Sequence, residues 1–313
     1  MTAALLLDAL LIALLFGLAA WTILAREAFA AVLGFVAYGL LLALVWVALH
    51  AVDVAMAEAA VGGGLTGVLL LGAAMRLRAD EPSDERPPTS LRIPAALLSA
   101  AVALGLAWAV LSLPEPAPTL APAAADALAT TGLGNPVTAV LMAYRGTDTL
   151  LEKVVLVLAL VGVWSLAPDR FWGGRPGPRQ TADPDGPLAF LARLLPPAGV
   201  VIGVYILWNS ADHPGGAFQG ATIVAAMWQL ALLAGLTDAP ALSRGRLRLL
   251  LAVGPAAFLA VGLGGLVFGE AFLAYPVAFA KPLILVIEVG MLVSVTLTLG
   301  LLMLGAPQRR AGP

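Results

Sequence analysis

The sequence predicts an all-α, polytopic integral membrane protein of about nine helices. Three observations carry that prediction. The first is composition: 61% of the 313 residues are hydrophobic and only 12% are charged, with a mean hydropathy of +0.97. A soluble domain carries about 25% charged residues, so this chain cannot coat a globular surface with polar groups and must present much of itself to lipid. The second is segmentation. Nine apolar stretches, 3–24, 28–50, 53–76, 94–112, 149–167, 194–209, 216–236, 247–268 and 281–304, approach the roughly 20 residues a helix needs to cross the hydrocarbon core. The third is the placement of basic residues. Fourteen of the 17 Lys and Arg fall on one side of a nine-span arrangement, leaving only Arg145, Lys153 and Lys281 elsewhere. By the positive-inside rule the amino terminus is then outside and the carboxyl terminus cytoplasmic.

Net charge is -2, so no basic face points to nucleic acid. The absence of cysteine excludes disulfides, thiolate metal sites and a cysteine nucleophile. Two histidines leave little for a metal centre. No nucleophile–base pair or phosphate loop is visible, so neither an enzyme, a metal nor a cofactor is expected.

Taken in order, the elements read as follows. The first span lacks a basic leader and is expected to stay uncleaved. The second ends at His50, an interfacial residue or a relay. The third opens at Asp53, whose carboxylate suits a helix amino terminus as a cap. Glu58 lies about one and a half turns further in, too deep for a cap, and is a candidate proton or ion group. Gly62, Gly63 and Gly64 follow, allowing either close helix packing or a π-type loosening. The linker 79–90 is charged and Pro-rich, and 113–127 is Pro/Ala-rich and expected to be extended.

Around the fifth span, Arg145, Asp148 and Glu152 share a helix face, and Lys153 points about 100° from Glu152. They form either an interfacial cluster with a snorkelling lysine or part of an aqueous path. A second linker, 167–187, leads to the sixth span, whose start near Pro196–Pro197 is uncertain from sequence. The break Asn209–Gly220 is expected to reverse the chain at Pro214, Gly215 and Gly216, with Asp212 and His213 as turn and cap residues. Gly216 and Gly220, four apart, offer a flat face to a neighbouring helix. The ninth span carries Lys281 at its outer end and Glu288 two turns deeper on nearly the same face. Glu288 is either a carboxyl bonded to a neighbour's Ser or Thr, or a protonatable group facing a path; buried ionisable groups in membranes usually mark such paths.

HPGGAFQGATIVAA, from His213, resembles the Pro-Gly-Gly-Gly-Phe-Gln-Gly-Gly signature of the MnhB-type subunit of Mrp-type multisubunit cation/proton antiporters, and VIEVGMLVSVTL resembles its last span. VDVAMAEAAVGGGLTG resembles a region near the carboxyl end of the large A-type antiporter subunit, which membrane-bound hydrogenases carry as a separate small protein; Asp53, Glu58 and Gly62 fall on its pattern. NPVTAVLMAYRGTDTLLEK resembles the segment that ends the same A-type subunit, with Asn135, Val137, Arg145, Gly146, Asp148, Thr149 and Glu152 matching. Ala217 and Ala221 replace two signature glycines.

The resemblance implies a fusion of the A-type tail (MbhD-like and MbhE-like) with an MnhB-like part: a three-helix module (1–78), a linker (79–93), a two-helix module (94–167), a linker (168–189), a four-helix module (190–306) and a tail (307–313). The lysine-bearing antiporter-like part is absent, so the implied role is an accessory one in a bacterial or archaeal cytoplasmic membrane. Implied partners are antiporter-like large subunits, small subunits of the C, E, F and G types, lipid, H+ and Na+. Glu58, Glu288, Glu152, Lys153, Lys281 and Asp53 would line a proton or cation path. The alternatives are membership of a redox-driven, complex-I-like or hydrogenase-type pump, or a non-conducting scaffold. An autonomous transporter is disfavoured because no inverted repeat or matched pair of broken helices shows in the sequence.

Overall fold

A computed structural model describes residues 3–78, 88–116, 118–269 and 271–310. It is helical nearly throughout. Helices α1 (Ala3–Leu24) and α2 (Ala28–Ala48) pack as a hairpin. Next comes α3 (Val52–Ala57), a π-helical stretch from Glu58 to Thr66, and α4 (Gly67–Arg78), forming one bent span. The three glycines explain the bend. Each costs an α-helix about 1 kcal/mol relative to alanine, so the wider π register is cheap there. They also serve packing: a Cβ on Gly39 of α2 would lie 2.9 Å from the Gly63 amide nitrogen. The two readings of this run therefore hold together.

Helix α5 (Thr89–Leu111) begins five residues before the expected start at 94 and includes Pro94 within its first two turns. Residues 79–87 of the first linker lie outside the described residues. None of the residues of α5 is buried. The stretch expected to be extended is instead partly helical, as α6 (Ala121–Thr131), closed by Gly132 at φ +71°. Alanine-rich sequence entered through Pro122 favours a helix more strongly than the scattered prolines oppose it.

The middle of the chain contains a break the apolar pattern hid. A short helix α7 (Pro136–Thr138) runs into a π-helical stretch (Ala139–Tyr144), stops at Arg145, and restarts as α8 (Gly146–Ser165). Asn135 caps this element by accepting the Val137 N–H at 2.9 Å, and Pro136 occupies the first helical position. Thr149 donates to the Leu141 carbonyl at 2.7 Å across the break, satisfying a freed backbone acceptor.

Helix α9 (Pro187–Asn209) starts seven residues before the expected 194 and passes through Pro196 and Pro197. Helices α10 (Ala217–Leu233), α11 (Gly245–Phe268) and α12 (Ala280–Leu304) complete the bundle. α10 ends at Leu233, short of the expected 236. Among the described residues, seven helical segments are long and apolar enough to cross a membrane; α10 is shorter, at 17 residues, and α8 carries Asp148, Glu152 and Lys153. The chain is a multi-pass, all-α membrane protein.

Small residues set the packing of the last four helices, as expected where lipid removes the hydrophobic drive between helices. Gly203 of α9 meets Gly220 of α10 backbone to backbone, and a Cβ on either would run into the other's carbonyl. Gly254 of α11 lies against Gly290 and Ser294 of α12, and Ser294 donates to the Leu251 carbonyl at 2.5 Å. α12 is the centre: Ile284, Ile287 and Leu299 are fully buried, together with Phe258 of α11 and Leu207 of α9.

The second linker and the tail are not loose. Arg175–Pro176 (β1) pairs antiparallel with Pro307–Arg309 (β2), a two-stranded clasp the all-α expectation did not contain. Arg309 donates to both oxygens of Asp238, at 3.2 and 2.7 Å, and to the Gly177 carbonyl at 2.9 Å. Arg175 lies 3.4 Å from the same carboxylate and donates to the Ala239 carbonyl at 2.7 Å. The Arg309 guanidinium holds the Asp238 carboxyl below the usual range.

Candidate functional site

Polar residues from three parts of the chain meet beside the α9–α10 turn. Ser210 follows α9 and is fully buried; its hydroxyl donates to Glu288 in a short hydrogen bond. Gly215 (φ +155°) sits where a Cβ would strike the Ile206 carbonyl, so this position requires glycine. α10 then begins at Ala217, and the Ala217 N–H faces the Glu288 carboxylate. Glu288 thus sits at the amino-terminal end of α10, between the Ser210 hydroxyl and the Ala217 N–H.

Facing it across a cavity of about 290 Å³ is Lys153 of α8, only 3% exposed. Its amine lies 3.2 Å from Glu152 and 4.4 Å from the centre of the Phe218 ring. Lys153 therefore does not snorkel to an interface; it points inward and draws the Glu152 carboxylate with it. Thr138, Met142, Gly216, Gln219 and Met291 share the lining. Glu152 remains 53% exposed, so the cavity has a charged rim and a buried amine and carboxylate within.

Asp53 stands at the edge of this cavity, 8% exposed. It does not cap its own helix: no side-chain cap bond forms at the start of α3, where Ala51 is the N-cap residue. Its Oδ1 accepts the Gly215 N–H at 2.9 Å and the Asn135 amide at 3.4 Å. Asn135 also donates to the His213 carbonyl at 2.9 Å. Gly134 and Asn135 N–H groups both donate to the Ala211 carbonyl, and Thr138 donates to the Ser210 carbonyl at 2.7 Å. One aspartate, one asparagine and one glycine amide thus join three segments distant in sequence.

The remaining candidates lie elsewhere. Lys281 forms a short ion pair with Asp212, half-exposed on both sides, outside the cavity. Asp212 is accordingly an ion-pair partner rather than a helix cap, and α10 takes Gly216 as its N-cap residue with no side-chain bond. Arg145 pairs with Asp148 at 2.5 Å, exposed and separate from Glu152. Glu58 opens the π stretch, half-buried, with its carboxylate folded over Gly62, where a Cβ would strike it. Of the two packing glycines, Gly220 meets its neighbour α9, whereas Gly216 lies under the Gln219 side chain. Among the described residues no group of three or more His, Asp or Glu is placed to hold a metal ion.

Sequence reasoning matched Asn135 to a motif but gave it no role, and passed over Ser210, Thr138 and Phe218. The Asn-Pro pair ahead of an apolar run was a readable helix-start signal. Ser210 carries no local signal, and although Phe218 stands in the matched signature, the contact of its ring with Lys153 is a tertiary one.

Comparison with known proteins agrees with this architecture. Residues 13–79 match the MbhD family, described as the D subunit of MBH, and residues 187–306 match a domain related to the MnhB subunit of Na+/H+ antiporter. No curated protein matches. Among solved structures, the Mrp complex from Dietzia sp. DQ12-45-1b includes a chain 27% identical over 97% of this one, with a TM-score of 0.77. This chain spans about a third of that one, 35%. The membrane-bound sulfane sulfur reductase (MBS), an archaeal respiratory membrane complex, includes a chain 25% identical over 69% of this one and 99% of its own length, with a TM-score of 0.55. The chain thus carries an MbhD-like region and an MnhB-like region joined by a middle segment, and it is similar along nearly its whole length to part of a chain of an Mrp complex.

Proposed function

We propose that this chain is an accessory ion-path component of an Mrp-type Na+/H+ antiporter, or of a related complex, and is not itself an enzyme. The observation that carries the reading is the cavity in which Glu288 of the MnhB-like region meets Lys153 and Glu152 of the middle segment and Asp53 of the MbhD-like region. A carboxylate and an amine kept inside a membrane bundle are costly without a hydrated route or a partner to offset them. Protons or Na+ would exchange among these groups, and Glu58 and Lys281 would extend the route toward neighbouring subunits. In this reading the chain makes nine spans, with the amino terminus outside and the clasp of Arg175, Asp238 and Arg309 on the cytoplasmic side of a bacterial or archaeal inner membrane. The modules meet at residues 79–93 and 168–189. The exposed α5 would pack against another membrane protein of the complex, either an antiporter-like large subunit or a small one of the C, E, F or G type.

The likeness to an archaeal respiratory membrane complex favours a second reading, in which a redox reaction drives the same path. Purification through a tag on this chain, followed by identification of the associated subunits and sodium-dependent proton flux in proteoliposomes, tests both. Antiporter-like subunits and flux without a redox substrate support the first. Co-purified redox subunits, with flux only on electron donation, select the second. A chain that purifies alone contradicts both.

A further inference from the structure

Two cavities meet at Asp53. The inner one holds Glu152, Lys153 and Glu288. The second, about 260 Å³, opens at the end of the bundle and is lined by His50, Asp53, Asn135, Asp212, His213 and Pro214, so it contains both histidines of the chain. Asp53 and Val137 line both. We infer that the Asp53 carboxylate, held by the Gly215 N–H and the Asn135 amide, is a latch separating an outward vestibule from the inner cavity, through which small cations pass when it opens. This deepens the proposed function and takes its inside and outside from that reading.

The latch is built to open. Its two bonds are made to groups on different segments, one at 2.9 Å and one at a long 3.4 Å. The 3.4 Å contact is beyond the usual hydrogen-bond range and is the weaker of the two, so the Asn135 side yields first. The Gly215 amide belongs to a Pro-Gly-Gly turn, and α3 gives way after Ala57 to the π stretch. The partners flanking the latch can thus shift without unfolding a helix. A carboxylate at the neck also selects by sign: an anion is repelled there and a cation attracted, with Asp212 ahead of it already paired to Lys281 and Glu288 behind it sharing its cavity with Lys153 and Glu152. Asp53 is accordingly a positioning and selecting residue, distinct from the pair Lys153 and Glu288 within.

The chain has no cysteine, so single cysteines report access directly. In the assembled complex, in right-side-out vesicles, Ala51→Cys marks the vestibule and Met142→Cys, 3% exposed, marks the inner cavity. The probe is a small cationic methanethiosulfonate added outside, with labelling of this chain read by mass. Met142→Cys should react at least tenfold slower than Ala51→Cys. Adding Asp53→Ala should bring the two within about threefold, and Asn135→Ala, which leaves the Gly215 bond, should give an intermediate rate. If Asp53→Ala does not assemble, the Asn135→Ala rate alone decides. Equal Met142→Cys rates with and without the latch residues, fast or slow, would overturn the proposal. Loss of flux in Glu288→Gln bears on the function and leaves this access measurement unaffected, so the two can fail separately.

Discussion

Asn135→Ala is the sharpest structural test of how the three segments are joined. The side chain makes one cap bond to Val137 N–H, one donation to the His213 carbonyl and a longer one to Asp53. Loss of a cap costs about 1 kcal/mol. Loss of the bond to a carbonyl in a half-buried turn costs about 1 kcal/mol more, and the 3.4 Å contact adds a fraction of that. The expected total is on the order of 2–3 kcal/mol. At 1.4 kcal/mol per tenfold, local opening should rise roughly 30- to 150-fold. Hydrogen exchange on the intact complex reads this directly, in peptides covering 134–145 and 209–216. Asn135→Asp is the control: it keeps the cap acceptor, loses both donations and sets a second carboxylate against Asp53. It should protect Val137 while loosening the 209–216 turn. A change below about threefold in both peptides of Asn135→Ala would show that Asn135 does not join the segments.

Three further outcomes follow from the same geometry. Gly220→Ala should sharply lower the yield of folded complex, because its Cβ meets the Gly203 carbonyl and backbone cannot give way cheaply; normal yield and melting would contradict the α9–α10 contact. His50 occupies the left-handed position after α2, with Ala51 N–H returning to the Trp46 carbonyl and His50 N–H to that of Val47. His50→Gly should therefore stabilise by about 1 kcal/mol, seen as a higher melting point; destabilisation would mean the side chain itself contributes. Asp238 has a depressed carboxyl pKa in the folded chain, so its contribution is present above the unfolded value of about 3.9 and is lost as pH falls through the lower folded value. Protease sensitivity of the tail should rise only in that acid window, and Asp238→Asn should raise it at neutral pH; a tail equally resistant in Asp238→Asn would remove the clasp.

How legible this was from sequence depends on the kind of force involved. Span positions were readable because lipid imposes length and apolarity on every helix. The errors arose where a second rule competed. Pro196 and Pro197 suggested a helix start, yet a membrane helix tolerates them inside because neighbouring groups satisfy the freed carbonyls. Pro-rich sequence suggested an extended 113–127, yet alanine made Ala121–Thr131 helical. The break at Arg145 was hidden because both halves are apolar. At the site, spacing placed Glu152 and Lys153 on different faces, but a lysine's long stem let its amine return to Glu152. Glu288 was recognisable as a buried carboxylate, and a bond to a neighbour's hydroxyl was one of its two readings; that Ser210, 78 residues away, supplies it is a property of the fold. Asp53 was legible as polar and important in position, but its bond to an amide 162 residues on was not.

The central claim is that the Glu288 carboxylate carries ions rather than only fastening α12 to Ser210. Sodium-dependent proton flux through the reconstituted complex carrying Glu288→Gln decides between them, since glutamine keeps the size and can still accept the Ser210 hydroxyl. The account predicts a complex of normal subunit composition with flux reduced at least tenfold; wild-type flux from that assembled complex would contradict it.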